Sequence, residues 1–328
     1  MGFILLLVAL LFSEAIKVAA KDTSQTQGGY SVSPVPSEHQ TKGIQDYYDI
    51  EWTPASKDEF GVTINNKSGK EQTYIIQINK ARTNRNGIVD YSNRTPELPE
   101  AKYKLTEMVQ IPKEVTIPSK SSKTVTGRIS FPDPSFNGIL MAGLHISEKK
   151  DKDESKAVSN TVAYNIPLVV RGDEDTRPKA ELELTKVSVE KYSSKQSSLD
   201  VLLFNKKTNL LKESEFHAEI KDKEGKKITE TSSKLDLTPE TSFVYPVKLP
   251  DNMKAGEYSL ILTVSHGKDF WEFKKDFKVS KSESKAITER SGQTPIPWLL
   301  YGLAVLVGVL IVMFLFFWIY RRRRFKEE

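Results

Sequence analysis

Apolar side chains recur at every second position through most of the chain, and this alternation is the feature that most narrows the fold. Phe60, Val62 and Ile64 alternate with small or polar residues, and the stretch from Val162 to Val170 repeats the pattern. A period of two places the apolar side chains on one face of a β-strand. Many short strands separated by polar turns indicate β-sandwich domains.

The alternation breaks between Arg171 and Pro178, where glycine, acidic residues and proline replace it. We predict a domain boundary there, with a first domain at residues 29–172 and a second at 178–280. The second has about 100 residues in roughly seven strands, which suits one immunoglobulin-like sandwich. Residues 281–296 are rich in Ser, Lys, Glu and Thr and are predicted to form a stalk that holds the domains off the bilayer. The expected fold is all-β, with two immunoglobulin-like β-sandwich domains in tandem.

A run of 23 residues from Trp298 to Tyr320 contains no charged side chain. As a helix it would be ~34 Å long, enough to cross a hydrocarbon core of ~30 Å. The basic residues Arg321, Arg322, Arg323 and Arg324 follow at once and favour a cytoplasmic C-terminus. We therefore predict one C-terminal transmembrane α-helix over 297–320 and a cytoplasmic tail at 321–328.

The opening residues of the chain indicate export. Phe3 to Phe12 is apolar but too short to span a membrane, and Val18-Ala19-Ala20 offers small residues where a signal peptidase cleaves. Residues 1–20 are predicted to be a signal peptide. No Lys or Arg precedes the apolar stretch, so a truncated start or an uncleaved anchor is the alternative. The predicted location is the cell membrane, with a single span and extracellular N-terminal domains.

The charge and the cysteine content narrow the class of protein. The net charge is +5, of which the tail carries +3 (five positive and two negative side chains), and Glu14 and Lys17 cancel in the leader. The remaining net charge of +2 does not indicate a basic surface that binds nucleic acid. An exported chain without cysteine relies on its hydrophobic cores, and this favours a Gram-positive bacterial surface.

Residues typical of catalysis do not assemble into a recognisable pattern. The four histidines are scattered, with no pair at metal-ligand spacing, and there is no thiol, no Gly-x-Ser-x-Gly elbow and no phosphate-binding loop. We predict no catalytic residue, no metal site and no cofactor. Carboxylates are plentiful, so a glycosidase pair stays open by counting alone.

The polar segment from Arg82 to Tyr91 is the first candidate binding surface. Loops between strands commonly carry binding residues, so Arg82, Asn84 and Tyr91 are candidate ligand contacts. The alternative is that they belong to a hairpin connection without a binding role. For Asn86 and Gly87 the hairpin interpretation is favoured, since this pair readily supplies positive φ angles.

Two further features have a functional and a structural interpretation. Arg171-Gly172-Asp173 is a tripeptide that many integrins recognise, but the stronger interpretation is a turn in which Gly172 leads the chain out of a strand. Tyr47, Tyr48 and Trp52 form an aromatic cluster that could stack on sugar rings. Such a cluster more often belongs to a core.

Several short motifs, in order along the chain, resemble the WxL-interacting proteins. The motifs that resemble the first domain of that family are Tyr30-Ser31-Val32-Ser33-Pro34-Val35-Pro36, Val62-Thr63-Ile64-Asn65-Asn66, the segment Ala81 to Tyr91 and Phe136-Asn137-Gly138-Ile139. Those that resemble its second domain are Leu203-Phe204-Asn205, Ala255-Gly256-Glu257-Tyr258 and Trp271-Glu272-Phe273. The order of leader, two domains, helix and basic tail also matches.

The resemblance implies a non-enzymatic surface adaptor. It implies that residues 29–172 bind peptidoglycan and that residues 178–280 bind host extracellular-matrix proteins, with secreted WxL-domain surface proteins as further partners. A wall-remodelling hydrolase and a surface assembly factor that pairs strands across exposed edges are the alternatives.

Overall fold

The computed structural model describes residues 29–99, 101–133, 136–149, 162–172, 178–292 and 305–315. Its first part consists of short strands with one helical turn. The elements are β1 (Tyr30–Val35), β2 (Tyr48–Glu51), β3 (Lys57–Asn66), β4 (Gln72–Lys80), β5 (Arg82–Thr83), β6 (Val89–Asp90), α1 (Leu105–Met108), β7 (Val109–Gln110), β8 (Glu114–Ile117), β9 (Ser122–Ser130), β10 (Ile139–Glu148) and β11 (Ala163–Arg171).

These strands form a two-sheet sandwich. One sheet has the order β1-β3-β9-β7 and the other the order β2-β11-β10-β4-β8. All pairings in the two sheets are antiparallel except that of β2 with β11, which is parallel. The first two strands of the chain therefore belong to different sheets, with β1 at the edge of one and β2 at the edge of the other. The hairpin β5–β6 lies outside both sheets.

The alternating residues fill the core between the sheets, as the sequence predicts. Phe60, Val62 and Ile64 on β3 are 2%, 0% and 0% exposed. Buried tyrosines join the two sheets through their hydroxyl groups, because a buried O–H needs a hydrogen-bond partner. The Tyr30 hydroxyl lies 2.9 Å from the carbonyl oxygen of Ile146, and Tyr48 donates to the carbonyl of Gly61.

The aromatic cluster near the start of the chain belongs largely to this core. Tyr48 is fully buried, and Trp52 packs against Tyr103, Phe131 and Phe136 with ring centroids 5.0–5.6 Å apart. The structural interpretation of the cluster is confirmed for these two residues. Tyr47 is only partly buried and faces the interface described below.

The second part of the chain forms a seven-stranded sandwich. Its strands are β12 (Leu182–Lys191), β13 (Ser197–Asn205), β14 (Leu211–Asp222), β15 (Lys227–Leu237), β16 (Thr241–Lys248), β17 (Gly256–His266) and β18 (Asp269–Val279). One sheet has the order β12-β13-β16 and the other the order β15-β14-β17-β18. Three strands facing four, all antiparallel, is an immunoglobulin-like arrangement.

The predicted stalk at 281–296 differs from the structure over most of its length. Lys281–Arg290 form a helix, α2, which begins at a capping box between Ser280 and Glu283. Ile287 is 2% exposed against the second core, and the Ser284 hydroxyl donates to the carbonyl of Met253 at 2.8 Å. The prediction of a stalk is therefore wrong for these ten residues, which dock on the second sandwich. The capping box begins this polar helix, and the buried Ile287, the Ser284 hydroxyl and a 3.0 Å hydrogen bond from Arg290 to Ser197 dock it on the second sandwich.

No helix in the described part of the chain is long and apolar enough to cross a membrane. Residues 305–315, inside the predicted span, are helical and exposed. The other residues of that span, together with the predicted signal peptide at 1–20 and Arg321, Arg322, Arg323 and Arg324, lie outside the described residues. The transmembrane helix and the export signal stay predictions.

Candidate functional site at the domain interface

The segment Arg82 to Tyr91 folds as a hairpin whose turn is built by Asn84. The backbone N–H of Asn84 donates to the carbonyl of Ile88 at 2.9 Å, and that of Gly87 donates back to Asn84 at 2.9 Å. The side-chain oxygen of Asn84 accepts from the backbone N–H of Asn86 at 2.9 Å. Gly87 has φ +77°, as predicted, whereas Asn86 does not adopt a positive φ. Asn84 thus holds the turn closed.

This hairpin reaches into the second sandwich, and we call residues 82–90 the clasp. The carbonyl of Gly87 accepts from the backbone N–H of Asp236 at 2.9 Å. The Thr83 hydroxyl donates to the Asp236 carbonyl at 2.7 Å and accepts from the Thr238 N–H at 3.1 Å. Backbone groups of both sandwiches are therefore directly bonded.

Arg85 at the tip of the clasp makes a bidentate ion pair with Asp200 of β13. The two nitrogen–oxygen distances are 2.6 and 2.8 Å, and Asp200 is 8% exposed. Ser198 donates to the same carboxylate at 2.6 Å, and the guanidinium lies 5.8 Å from the ring centre of Tyr192. Planar pairing of this kind fixes direction as well as distance. Arg85 is a structural link that the sequence did not single out.

Arg82, one of the predicted ligand contacts, is the first residue of the clasp and is buried. It is 9% exposed, and its Nη2 donates to the carbonyl oxygen of Pro96 at 2.5 Å. Its Nε is buried without a hydrogen bond among the described residues. The side chain therefore holds the following loop rather than facing solvent in this structure.

A buried charged group lies beside Arg82. Lys80 is 1% exposed, and its ammonium nitrogen lies 3.7 Å from the Glu97 carboxylate, which also accepts from the Thr106 hydroxyl at 2.8 Å. Burial lowers the pKa of Lys80, although Glu97 and Glu240 of the second sandwich oppose this. Burial likewise raises the pKa of Glu240. Titratable side chains from both sandwiches thus meet at the interface.

A cleft of about 630 Å³ opens between the sandwiches next to the clasp. Its volume is in the range of sites for small ligands, and domain interfaces are a common place for them. The lining residues are Tyr47, Asp49, Val89, Tyr91, Gly138, Ile139, Met141, Pro167, Val169 and Arg171 from the first sandwich and Thr208, Asn209, Leu210, Lys212, Asp236 and His266 from the second. The cleft therefore has an apolar floor with charged groups around it.

Tyr91, another predicted ligand contact, lies in this cleft. Its ring packs on Gly143 so closely that a Cβ there would come within 2.6 Å of the ring. Burial, aided by Tyr47 and Asp236, raises the pKa of Tyr91 to about 12, so the phenol is neutral and can donate a hydrogen bond. Of the three residues predicted in this segment, the structure places Tyr91 in the cleft and uses Arg82 and Asn84 to build the clasp.

Arg171 forms one wall of the cleft. Its guanidinium makes a bidentate pair with Asp49, which is fully buried, with Nη2 2.7 Å from Oδ2. The neighbouring Gly172 donates its N–H to the carbonyl of Gly138 at 2.9 Å. Asp173 lies outside the described residues. The integrin-type tripeptide stays a prediction, with an arginine that is engaged within the molecule.

Two family descriptions match the chain in tandem. The WxL Interacting Protein peptidoglycan binding domain matches residues 30–148, and the WxL Interacting Protein host binding domain matches residues 153–289. The chain belongs to the WxL-interacting protein family. Both domains of the family are named for binding. The second match includes β11, although this strand pairs within the first sandwich. No curated protein matches the sequence.

Bacterial chaperones and their complexes are among the solved structures that are similar to this chain. A chaperone–tip adhesin complex of CFA/I fimbriae has 11% identity and a TM-score of 0.32, covering 76% of this chain and 98% of that one. The CsuC–CsuE chaperone–tip subunit complex from Csu pili of Acinetobacter baumannii has 13% identity and a TM-score of 0.33, covering 75% and 98%. The E. coli chaperone DraB has 14% identity and a TM-score of 0.27, covering 71% and 94%. These likenesses say nothing about what this chain binds.

Proposed function

We propose that this protein is a non-enzymatic adaptor of the bacterial cell surface. Its first sandwich holds peptidoglycan, and its second holds protein ligands, namely secreted WxL-domain proteins and host extracellular-matrix proteins. A single C-terminal helix anchors the chain in the membrane, with both sandwiches outside and Arg321 to Arg324 in the cytoplasm. Neither a cofactor nor a metal takes part in this role.

The observation that carries the proposal is the tandem of two binding domains that the clasp joins. Two modules fixed to each other bring wall polymer and protein ligand to one place, so that the second contact forms at a high effective concentration. The bidentate pair of Arg85 with Asp200 limits the relative motion of the modules. Weak contacts on each side then suffice for retention at the surface.

The cleft is the place where we expect the wall polymer to bind. Its floor belongs mainly to the first sandwich, and Tyr47 and Tyr91 offer rings on which sugar faces can pack. Lys212 lies at its rim, is exposed, and makes no ion pair with any described residue. Peptidoglycan stem peptides carry free carboxylates, which this ammonium group can meet.

Sedimentation with purified wall tests the adaptor role. The full chain in detergent is expected to sediment with insoluble peptidoglycan and to carry a WxL-domain protein down with it, without releasing soluble wall fragments. Failure to sediment would refute wall binding, and release of fragments would favour the hydrolase.

A pair of charge reversals tests the cleft. Lys212→Glu is expected to weaken sedimentation about tenfold because it sets a carboxylate against the carboxylates of the wall. Lys226→Glu is the matched control, since Lys226 is an exposed lysine in the turn between β14 and β15. Equal sedimentation of both variants would place the wall site elsewhere.

A tag at the C-terminus tests the anchorage. Protease added to intact, wall-stripped cells is expected to digest both sandwiches and to spare the tag. Loss of the tag would refute the proposed orientation.

A further inference from the structure

The second sandwich has one side at which both sheets end without a neighbouring strand. β12 is the edge of one sheet and β18 the edge of the other, and no other strand of the described residues pairs with the outer side of either. β18 pairs with β17 continuously from Asp269 to Val279, without a register shift. A long, regular edge strand leaves a row of backbone N–H and C=O groups ready to pair with another chain.

Half-buried apolar side chains line this side, which we call the lateral seam. They point inward from the two edge strands, yet each keeps part of its surface in solvent. The members are Leu184, Val187 and Val189 on β12 and Trp271, Phe273 and Phe277 on β18. On β18 the inward row has the period of two that an added strand would need to match. The core is therefore incompletely closed along the seam.

Two positions in the inward row of β18 are charged, Asp269 at its start and Lys275 near its middle. Lys275 lies opposite the buried Leu260 in the register, between Phe273 and Phe277 along the row. It is exposed and forms no ion pair with any described residue. An inward-pointing lysine on an edge strand discourages indiscriminate strand pairing. It also favours a partner that brings a carboxylate to the same place.

The opposite side of the same sandwich shows what a covered edge looks like. There the edge strands are β15 and β16, and β5 of the clasp packs against both of them. Thr83 and Gly87 bond directly to the backbone around Asp236. The chain thus covers one side with its own hairpin. Among the described residues nothing covers the other side in this way.

We propose that the lateral seam binds an extended segment of a protein partner, which adds to β18 as a further strand. Alternate apolar side chains of that segment would cover Phe273 and Phe277, and a carboxylate between them would pair with Lys275. Main-chain hydrogen bonds supply affinity in this mode and the alternate side chains supply specificity. The inference rests on the proposed role of the second sandwich in holding protein ligands.

A second copy of this chain is the competing occupant. Its inward row on β18 carries Lys275 and, at the first residue of the strand, Asp269. Self-pairing that sets Asp269 opposite Lys275 joins only residues 269–275 of the two copies and leaves Phe277 uncovered. A foreign strand with an acidic residue fits the seam better.

Two synthetic peptides test the proposal with the full chain in lipid nanodiscs. Each labelled peptide has ten residues of alternating valine and threonine, with either glutamate or lysine replacing the central valine, and binding is followed by fluorescence anisotropy. The wild-type chain is expected to prefer the glutamate peptide. Lys275→Glu is expected to weaken binding of the glutamate peptide about tenfold and to strengthen binding of the lysine peptide.

Lys278→Glu is the matched control, because Lys278 is an exposed lysine of the outward row on the same strand. It is expected to change both affinities by less than about twofold. Unchanged thermal midpoints establish that both variants are folded. Equal binding of the two peptides by the wild-type chain, or no binding of either at about millimolar concentration, overturns the proposal.

Two further readouts separate the remaining outcomes. If mass photometry of the wild-type chain shows dimers that Lys275→Glu abolishes, the occupant is a second copy and the proposal falls. If Lys275→Glu retains a WxL-domain protein as well as the wild-type chain does, the seam is not its site, although the adaptor role stands. If the wild-type chain retains no protein ligand, the proposed function itself fails.

Discussion

Replacing Arg85 with alanine should loosen the link between the two sandwiches. The change removes both charged hydrogen bonds to Asp200, at 2.6 and 2.8 Å, and leaves that carboxylate with the Ser198 hydroxyl as its remaining side-chain donor among the described residues. The carboxylate is poorly placed to recruit water, because only 10% of its side chain is exposed. The loss of stability should therefore exceed that of a surface ion pair.

The magnitude lies between two limits. Breaking a buried ion pair on one side costs about 3–5 kcal/mol, whereas an exposed pair contributes about 0.2–1 kcal/mol. The Arg85 side chain is 41% exposed, so solvent screens part of the interaction. We expect a loss of about 2 kcal/mol for Arg85→Ala, with a similar coupling energy to Asp200→Asn in a double-mutant cycle.

Urea unfolding of a fragment spanning residues 29–292 measures this coupling. Trp52 reports on the first sandwich and Trp271 on the second, and no other tryptophan lies in that range. The shorter fragment 178–292 lacks Arg85, so Asp200→Asn should not lower its stability. A coupling energy below about 0.5 kcal/mol would refute the clasp as an energetic link. An equal loss on Asp200→Asn in both fragments would refute it as well.

Three further changes test other parts of the structure. In urea unfolding, Gly138→Ala should lower the free energy of unfolding by more than about 2 kcal/mol, since a Cβ would lie 2.0 Å from the Thr208 carbonyl oxygen. Gly225→Ala, also at positive φ but in open space, should lower it by about 1 kcal/mol. Ile287→Ala should lower the free energy of unfolding by about 2–4 kcal/mol, whereas Lys285→Ala should leave it almost unchanged. Equal losses for the two variants would refute the docking of α2. Burial raises the pKa of Glu240 above 4.5, so its contribution to stability is fully present below pH 4.5 and is lost as the pH rises through the folded-state pKa. Glu240→Gln should therefore gain stability relative to the parent between pH 4 and pH 7, and parallel pH profiles would contradict this.

The strands were predictable because their signal is local. Phe60, Val62 and Ile64 alternate over five residues, and a strand with one buried face needs no more than that. Gly87 was predictable for the same reason, because a tight turn demands a positive φ from a residue at a fixed place. The local sequence pattern was therefore enough to predict the two sandwiches and the hairpin turn.

The role of the hairpin depends on contacts that local pattern does not contain. Arg85 and Asp200 are 115 residues apart, so the polar character of the segment suggested a surface loop. The burial of Arg82 also depends on a contact distant in sequence, since its side chain donates to the carbonyl oxygen of Pro96, 14 residues away. The cleft that contains Tyr91 likewise exists only when both sandwiches are placed together.

The helix α2 was missed although one signal was present. Ser280 and Glu283 form a capping box that can be read from the sequence. The apolar content was low, because Ile287 is the only large aliphatic residue between Lys281 and Arg290. The polar composition predicted a stalk, because it does not show that Ile287, Ser284 and Arg290 all contact the second sandwich.

The clasp has a mechanical consequence. Residues 173–177 connect the sandwiches covalently, and the clasp connects them a second time through Arg85, Thr83 and Gly87. If the first sandwich is pulled while the C-terminus is held, the clasp carries load in parallel with that connection. Its rupture would lengthen the molecule before any strand of either core is drawn out. We expect a two-domain protein built in this way to lengthen under a sudden force and to re-form the clasp when the tension falls.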